Sequence, residues 1–415
     1  MANDRGARHN IADKGPSMRE QKSYFGFGSN VFFSGLVSFC MDASSEMIYP
    51  LVPLFLASVL GVNKSMIGLI EGVAEATASL LKVFSGWFSD RIGQRKNLMI
   101  AGYAISTLSR PVIALAGAWQ QVLASRFTDR VGKGIRTAPR DAIIAESAQI
   151  THLGRAFSFH RTLDTMGAVV GPALTFLLLE FFSNDYRKVF WLSMVPGVVA
   201  VLLIILFISE KKKCPTLHAE RPRLTRNHFD WKVKFFIVIA ALFALGNSSD
   251  AFLILRAEQI GIPTMMIPAV YLVFNLVYSL SAIPAGVAAD RFGKKRIILL
   301  GFVLFAGLYY GFAVARNAET IWVLFGLYGL FMGFTEGIQK AFLATIIPPD
   351  CKATAFGVYA AVIGIAMLPA SLIAGWLWDR VSPAAPFFFG AATAVLSALL
   401  FVVLMLAQGR TVKPT

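Results

Sequence analysis

Twelve long apolar segments constrain the fold of this chain more than any other feature of its sequence. Each runs for about 20–30 residues, enough for a helix that rises about 1.5 Å per residue to cross a hydrocarbon core roughly 30 Å thick. Lipid offers no hydrogen-bond partners to an open backbone, so these segments are predicted to be transmembrane helices. They span residues 29–58, 64–88, 97–117, 119–146, 154–182, 188–209, 233–257, 263–288, 297–315, 319–346, 353–377 and 383–407.

The composition excludes several classes of soluble protein. Hydrophobic residues make up 56% of the chain and charged residues 15%, with a mean hydropathy of +0.62. An ordinary soluble enzyme or a disordered chain would be more polar. Cys40, Cys214 and Cys351 lie in different segments and form no CxxC pair, which argues against a disulfide framework or a cysteine-based metal site. A protein in a lipid bilayer, with neither cofactor nor metal, is therefore expected.

The distribution of basic residues predicts the orientation. The net charge of +15 comes from Lys and Arg concentrated at 5–22, 91–96, 211–232 and 291–296, which are the N-terminal arm and the second, sixth and eighth connections. Basic loops stay on the cytoplasmic side, so both termini and the middle linker are predicted to be cytoplasmic. The predicted parts are an arm (1–28), an N-terminal half (29–209), a linker (210–232), a C-terminal half (233–407) and a tail (408–415). The arm is long and polar, unlike a cleavable signal.

One short motif occurs twice, 200 residues apart, after the second apolar segment of each half. Both copies read G-x-x-x-D-R-x-G followed by basic residues. A repeat at equivalent positions predicts that the chain consists of two related six-helix halves. The shared residues are Gly86, Asp90, Arg91 and Gly93 in the first copy and Gly286, Asp290, Arg291 and Gly293 in the second.

The doubled motif resembles the signature loop of the major facilitator superfamily of secondary transporters. The resemblance covers essentially the whole chain and implies an all-α membrane fold of twelve helices in two pseudo-symmetric halves. It implies a gating role for Asp90 and Asp290. Asp90 is then expected to approach the helix start at 353–355, and Arg91 to pair with Glu146. The alternative for the basic residues of the motif is simple anchoring on the cytoplasmic side.

Two further features resemble branches of that superfamily. Gly167, Gly171 and Pro172 in the fifth segment are similar to an antiporter motif, although the small-residue pair that often follows is absent. The resemblance implies export, and close helix packing is the alternative role of this motif. The runs 129–141 and 247–257 look like a subgroup of poorly characterised prokaryotic members. The expected location is therefore the cytoplasmic (inner) membrane of a bacterium or archaeon.

The fourth segment carries seven ionisable residues on an arc of roughly 140° at 100° per residue. Such a face cannot be exposed to lipid, because placing one charge at the bilayer centre costs about 2.5–3.5 kcal/mol of insertion free energy. It either lines a cavity for an anionic or carboxylate-bearing solute or belongs to a self-neutralising salt-bridge network with acids of other segments. The first alternative predicts these substrate-binding residues: Arg126, Arg130, Lys133 and Arg136, with Arg161 on the fifth segment and Tyr271 and Asn275 on the eighth.

The leading hypothesis is a secondary active transporter of a small organic solute that works by alternating access. Asp42, Glu46 and Asp250 are the predicted proton-coupling residues, because burial at membrane depth disfavours a charged carboxylate. The alternative is a proton antiporter that exports drugs or siderophores, with the fourth-segment charges serving structure. The sequence contains no G-x-x-x-x-G-K-[ST], H-E-x-x-H or G-x-S-x-G, which argues against an ATP-driven pump and an enzyme. The expected partners are a small-molecule substrate, protons and lipid. No nucleic-acid partner is expected, and the chain is expected to be a monomer.

Overall fold

The computed structural model describes residues 23–24, 27–92, 94–147, 153–210, 230–347 and 352–409. Its elements are β1 (Ser23–Tyr24), β2 (Phe27–Gly28), α1 (Ser29–Ile48), α2 (Val52–Leu54), a π-helical turn (Phe55–Val59), α3 (Lys64–Ile92), α4 (Arg95–Ala114), α5 (Trp119–Ser147), α6 (Leu153–Phe181), α7 (Tyr186–Phe207), α8 (Trp231–Gly246), α9 (Ala251–Gln259), a 3-10 turn (Thr264–Met266), α10 (Ile267–Phe292), α11 (Lys294–Val314), α12 (Ala318–Ile346), α13 (Lys352–Arg380) and α14 (Ala385–Gly409).

The helices follow the twelve predicted segments, but the first and seventh segments are each interrupted. The first is broken at residues 49–51, between α1 and α2, and the seventh at 247–250, between α8 and α9. Pro50 lacks the donor that a continuing helix needs, and the Asn-Ser-Ser-Asp run of the seventh segment offers side chains that compete with backbone bonds. With the 200-residue offset of the repeated motif, both breaks fall at equivalent places in the two halves.

Nine helical stretches of the described residues are long and apolar enough to cross a membrane. The predicted segments outside that set are the second, third and fourth, which form α3, α4 and α5. These helices pack on one another, with α5 against both α3 and α4. Their polar side chains are therefore shielded from lipid by neighbouring helices, which lets them occupy the bundle despite their charge.

The two halves repeat the same helix packing. In the N-terminal half, α1 packs on α6 and α7, α5 on α3 and α4, and α4 on α7. In the C-terminal half, α8 packs on α13 and α14, α12 on α10 and α11, and α11 on α14. Equivalent helices thus have equivalent neighbours, and the structure confirms the predicted two-half architecture.

The halves meet mainly along two helix pairs, α3 with α13 and α6 with α10. Glycines bring α3 and α13 together: a methyl group built at Gly68 would lie 2.2 Å from the carbonyl oxygen of Ser371, and one at Gly375 would lie 2.5 Å from that of Lys64. The Asp379 carboxylate accepts hydrogen bonds from the backbone N–H of Lys64 (3.2 Å) and of Ser65 (2.7 Å). The start of α3 is thereby fastened to the end of α13.

The bundle is closed at one end and open at the other. We call the end that holds the α2–α3 and α9–α10 connections the loop face, and the end where α1 begins the terminal face. At the loop face one buried apolar cluster joins residues 51–56 of the N-terminal half to residues 252–255 and 267–274 of the C-terminal half. Towards the terminal face a cavity of about 860 Å³ separates α6 from α10 and α12.

Candidate functional site

Glycines let α5 lie deep between α3 and α4. A methyl group at Gly132 of α5 would lie 2.5 Å from the carbonyl oxygen of Gly102 on α4, and one at Gly134 would lie 2.4 Å from Cβ of Leu81 on α3. Small residues allow such close backbone approach in membranes. The charged face of α5 is therefore held against the polar faces of its neighbours.

The deepest ion pair of the site joins Arg126 of α5 to Glu71 of α3. Two guanidinium nitrogens of Arg126 donate to the two carboxylate oxygens at 3.1 Å and 2.6 Å. The side chains are 3% and 1% exposed. This bidentate geometry is the strongest form of an arginine–carboxylate contact, and it engages both oxygens of the Glu71 carboxylate. The guanidinium also lies over the Tyr49 ring, 5.4 Å from its centre.

A second group of ion pairs shares the Asp129 carboxylate of α5. Arg110 of α4 approaches one of its oxygens at 3.2 Å and also donates to the Ser45 hydroxyl at 2.9 Å. Arg130 approaches the other oxygen at 3.5 Å and pairs with Glu75 of α3 at 2.8 Å. Arg126 and Arg130, both predicted to bind substrate, thus have carboxylate partners within the protein.

Two other predicted cations of α5 have no carboxylate partner within the described part of the chain. Arg136 donates to the Ser106 hydroxyl at 2.8 Å, and its guanidinium lies 4.5 Å from the centre of the Tyr103 ring. Lys133 is half-buried and forms neither an ion pair nor a side-chain hydrogen bond with a described residue. Its charge acts on Glu46 and Asp42 of α1 from a distance.

The predicted proton-coupling residues of α1 occupy different surroundings. Oε2 of Glu46 is buried without a hydrogen-bond partner. Asp42 instead lies against α6 near Asp164, because a methyl group at Gly167, one turn after Asp164, would lie 3.1 Å from Cβ of Asp42. Two neighbouring carboxylates repel each other, and a proton on either one relieves the repulsion. We call these two neighbouring acids, Asp42 and Asp164, the carboxyl pair.

The carboxyl pair is surrounded by polar groups of α1, α5 and α6. Arg161 approaches the Asp164 carboxylate at 3.3 Å and donates to the Tyr278 hydroxyl of α10 at 2.8 Å, so it contacts both halves. One turn from Asp164, a ring nitrogen of His160 lies 2.7 Å from the Ser38 hydroxyl. That hydroxyl also accepts a hydrogen bond from Arg140 at 3.2 Å.

The C-terminal half contributes one acid and several aromatic side chains. Asp250 lies in the break between α8 and α9, where its carboxylate accepts a hydrogen bond from the Tyr328 hydroxyl at 2.9 Å. Tyr271 is buried, and its ring centre lies 5.5 Å from that of Tyr49. Nδ2 of Asn275 is buried without a hydrogen-bond partner. The two halves thus face each other with a charged wall and an aromatic, amide-bearing wall.

The predicted glycine–proline motif of α6 lies against α1. A methyl group at Gly167 would lie 2.4 Å from the carbonyl oxygen of Phe39, and one at Gly171 would lie 2.8 Å from that of Ala43. Pro172 follows inside the same helix. The close contact positions the carboxyl pair, because α1 and α6 carry its two members.

The structure describes most of the second copy of the repeated motif and little of the first. Gly293 adopts φ +93° between α10 and α11, a conformation that requires glycine, whereas Gly286 lines the cavity with nothing within 4 Å of an added methyl group. Arg291 is exposed beside Phe292, and Glu146 pairs with Arg95. The Asp290 side chain, the surroundings of Gly86, the side chains of Asp90 and Arg91, and Gly93 lie outside the described part of the chain. The expected contacts of Asp90 with 353–355 and of Arg91 with Glu146 lie outside it too.

Several residues of the site had no assigned role in the sequence analysis. Asp164 could have been identified from the sequence as a site residue, because it stands three residues after Arg161 within an apolar segment. Tyr328 and Tyr49 gave no signal, since aromatic residues are common throughout this chain. Their importance follows from contacts across helices, which a single sequence does not reveal.

Comparisons with known proteins agree with this architecture. A model of the Major Facilitator Superfamily matches residues 34–275 and 235–415. An uncharacterized MFS-type transporter of the archaeon Methanocaldococcus jannaschii is 35% identical over 379 residues, which cover 90% of this chain and 94% of the relative.

More distant relatives carry names of different substrates. A probable 4-methylmuconolactone transporter of Cupriavidus pinatubonensis is 22% identical and covers 79% of this chain and 78% of its own. The multidrug resistance protein MdtL of Shigella flexneri is 23% identical, covering 78% and 81%. Among solved structures, a POT family transporter in complex with a thioalcohol-conjugated peptide superposes with a TM-score of 0.78 at 13% identity, covering 94% and 99%. At that identity the likeness extends to the fold alone.

Proposed function

The chain belongs to the major facilitator superfamily, and on that premise we propose that it is a proton-coupled secondary transporter of a small organic anion, with a carboxylate as the recognised group. It is an integral membrane transporter rather than an enzyme. The proposal extends this established class to a substrate chemistry and a coupling ion. Both are argued from the charges between the halves.

The main support for the proposal is that some cations of α5 have carboxylate partners and others do not. Arg126 and Arg130 are satisfied by carboxylates, whereas Lys133 forms no ion pair and Arg136 has no acidic partner among the described residues. An unneutralised cation at membrane depth is costly unless a ligand supplies the missing charge. The unpartnered amide of Asn275 offers a further donor from the opposite half. Together these donors suit a carboxylate.

The paired arginines have a different proposed role. Arg126 and Arg130 fix α5 against α3, so that the face bearing Lys133 keeps its orientation. Tyr271, whose ring approaches that of Tyr49, supports a wall that would contact the apolar part of a substrate. Of the cations predicted to bind substrate, Lys133 and Arg136, with Arg161 at the cavity, keep that role in this proposal, and Arg126 and Arg130 do not.

Alternating access follows from the two unlike ends of the bundle. Tight α3–α13 packing and a shared apolar core support a closed loop face, while the cavity between α6, α10 and α12 supports access from the terminal face. We place the terminal face in the cytoplasm, because basic residues concentrate there. The structure then represents an inward-facing state, and rocking of the halves would expose the same site to the other side.

Proton coupling is proposed to involve the carboxyl pair, Glu46 and Asp250. We expect Asp42→Asn to abolish substrate accumulation driven by a pH gradient, because the variant removes a titrating member of the pair. Exchange of labelled for unlabelled substrate needs no net proton movement and should persist. Glu46→Gln and Asp250→Asn test the other two acids. Proteoliposome uptake with and without a pH gradient measures both quantities. Accumulation that keeps its full pH dependence in all three variants would remove these residues from the coupling.

A binding screen tests the substrate class. Monocarboxylates, dicarboxylates, amino acids, siderophores and cationic drugs are added to the purified chain, and the change in melting temperature is measured. A ligand that binds the folded state raises the melting temperature. We expect a rise with at least one carboxylate and a smaller rise in Lys133→Met. Stabilisation by cationic drugs and by none of the carboxylates would contradict the proposal.

The second candidate is a proton antiporter that exports drugs. The ion pairs of Arg110, Arg126 and Arg130 favour it, because they show a largely neutralised N-terminal half. In that case the α5 charges serve stability, and Lys133→Met would leave ligand binding unchanged. The same screen therefore separates the two functions.

A further inference from the structure

The cavity at the terminal face has the walls of a site for an amphiphilic anion. Its volume of about 860 Å³ is that of a site for a drug-sized ligand. Apolar side chains of α6, α10 and α12 form most of the wall, including Met166, Leu276 and Met332. The charged residues among its described lining are all basic: Arg161, Lys294 and Lys340. An apolar body with an anionic group matches this arrangement.

Arg161 belongs to the cavity and to the carboxyl pair at once. Its side chain is 58% exposed and lines the cavity, yet one guanidinium nitrogen lies 3.3 Å from the Asp164 carboxylate. The other donates to the Tyr278 hydroxyl at 2.8 Å, across the boundary between the halves. An anion bound in the cavity would therefore compete with Asp164 for the same guanidinium.

Protonation of the carboxyl pair depends on a few nearby charges. A cation beside a carboxylate opposes its protonation, and withdrawal of that cation favours protonation. The charged and titratable groups that act on the pair are Lys133, Arg136 and Arg140 on α5 and His160 and Arg161 on α6. Arg161 is the cation of that set that also lines the cavity. Its position makes it the link by which a ligand could act on the pair.

We propose that Arg161 couples the cavity to the carboxyl pair, so that an amphiphilic anion and one proton bind together. When the anion draws the guanidinium from Asp164, the pair takes a proton from water on the terminal side, and the arginine keeps its own proton throughout. This inference rests on the proposed proton-coupled function and names its coupling device. Joint binding corresponds to transport of anion and proton in the same direction.

The coupling has a measurable sign. If one proton is taken up with the anion, affinity for a permanently ionised anion rises by about tenfold for each unit of pH decrease, within the range where uptake occurs. A sulfonate is a suitable probe because it stays ionised throughout, so that the pH dependence comes from the protein. We choose 2-naphthalenesulfonate, which combines an apolar ring system with one anionic group.

The experiment measures binding of 2-naphthalenesulfonate to the full chain in nanodiscs between pH 5.5 and 8, together with proton uptake reported by a soluble pH dye. We expect tighter binding at low pH and up to about one proton per bound sulfonate. Arg161→Ala should weaken binding by at least about tenfold. Asp164→Asn and Asp42→Asn should keep binding but lose the pH dependence. Glu180→Gln, which changes an exposed carboxylate of the same helix α6, is the control that keeps both.

The outcomes separate this inference from the function on which it rests. Absence of sulfonate binding, or proton uptake that is zero in the unmodified chain or unchanged in Asp164→Asn and Asp42→Asn, would overturn the coupling by Arg161. If proton-driven carboxylate transport survives in Asp164→Asn, the proposed function remains but the coupling by Arg161 does not. Sulfonate-linked proton uptake in a chain that transports no carboxylate would support the coupling and contradict the proposed substrate.

Discussion

Replacement of Arg126 by alanine is expected to lower the free energy of unfolding by about 3–5 kcal/mol. The change leaves the Glu71 carboxylate, 1% exposed, without the guanidinium that neutralises it. An uncompensated buried charge is more costly than the loss of an attractive contact, because its desolvation is no longer offset. Equilibrium unfolding of the purified protein in mixed detergent micelles, or its melting temperature, measures the loss.

A double variant distinguishes the ion pair from other effects of truncation. Arg126→Met combined with Glu71→Leu removes both charges at similar volume and should recover most of the lost stability. Lys188→Ala is the matched control, because its pair with Asp185 is exposed at 57% and 37% and contributes at most about 1 kcal/mol. Equal effects of Arg126→Ala and Lys188→Ala would show that the buried pair does not stabilise the bundle.

Lys133→Met is expected to have the opposite profile: weaker anion binding and little loss of stability. Lys133 has no ion pair to break, so removal of its charge strands no carboxylate partner within the described chain. A charge-assisted hydrogen bond contributes about 1.5–3 kcal/mol, which corresponds to roughly 10–150-fold in affinity. Titration with the carboxylate that the screen identifies, followed by calorimetry or intrinsic fluorescence, measures this change.

The paired arginines supply the comparison for Lys133. The Arg126→Met, Glu71→Leu variant lacks two charges but should bind the carboxylate nearly as well as the unmodified chain, because neither group is proposed to contact it. Affinity unchanged in Lys133→Met, or lost in the double variant, would transfer the binding role back to the paired arginines. The two profiles together decide whether α5 is a binding surface or a structural network.

Much of the architecture was predictable because it depends on features local to the sequence. Segment length and apolar character identify the helices, and the repeated motif around Gly86 and Gly286 divides them into halves. The interruption of the seventh helix was harder to predict. The Asn-Ser-Ser-Asp run lies between two apolar stretches that together are long enough for one span. The hydrogen bond from the Tyr328 hydroxyl to Asp250, which stabilises the open turn, is a contact that the sequence does not reveal.

The candidate site was predictable in its residues but not in their pairing. The sequence places the charges on one face of α5, since that requires only helical periodicity. Whether a given arginine meets a carboxylate depends on the offset between neighbouring helices, which glycine contacts such as Gly102 with Gly132 determine. A single sequence carries no information on that offset. Arg126 and Lys133 are therefore alike in the sequence and different in the structure.

Proton movement during substrate transport tests the central claim most directly. The chain is reconstituted into liposomes that contain a pH-sensitive dye, and a carboxylate identified by the binding screen is added outside without an imposed gradient. The account predicts a change of internal pH that depends on the carboxylate and disappears in Asp42→Asn, while labelled exchange continues. Carboxylate entry without any change of internal pH, or a change that is the same in Asp42→Asn, would contradict it.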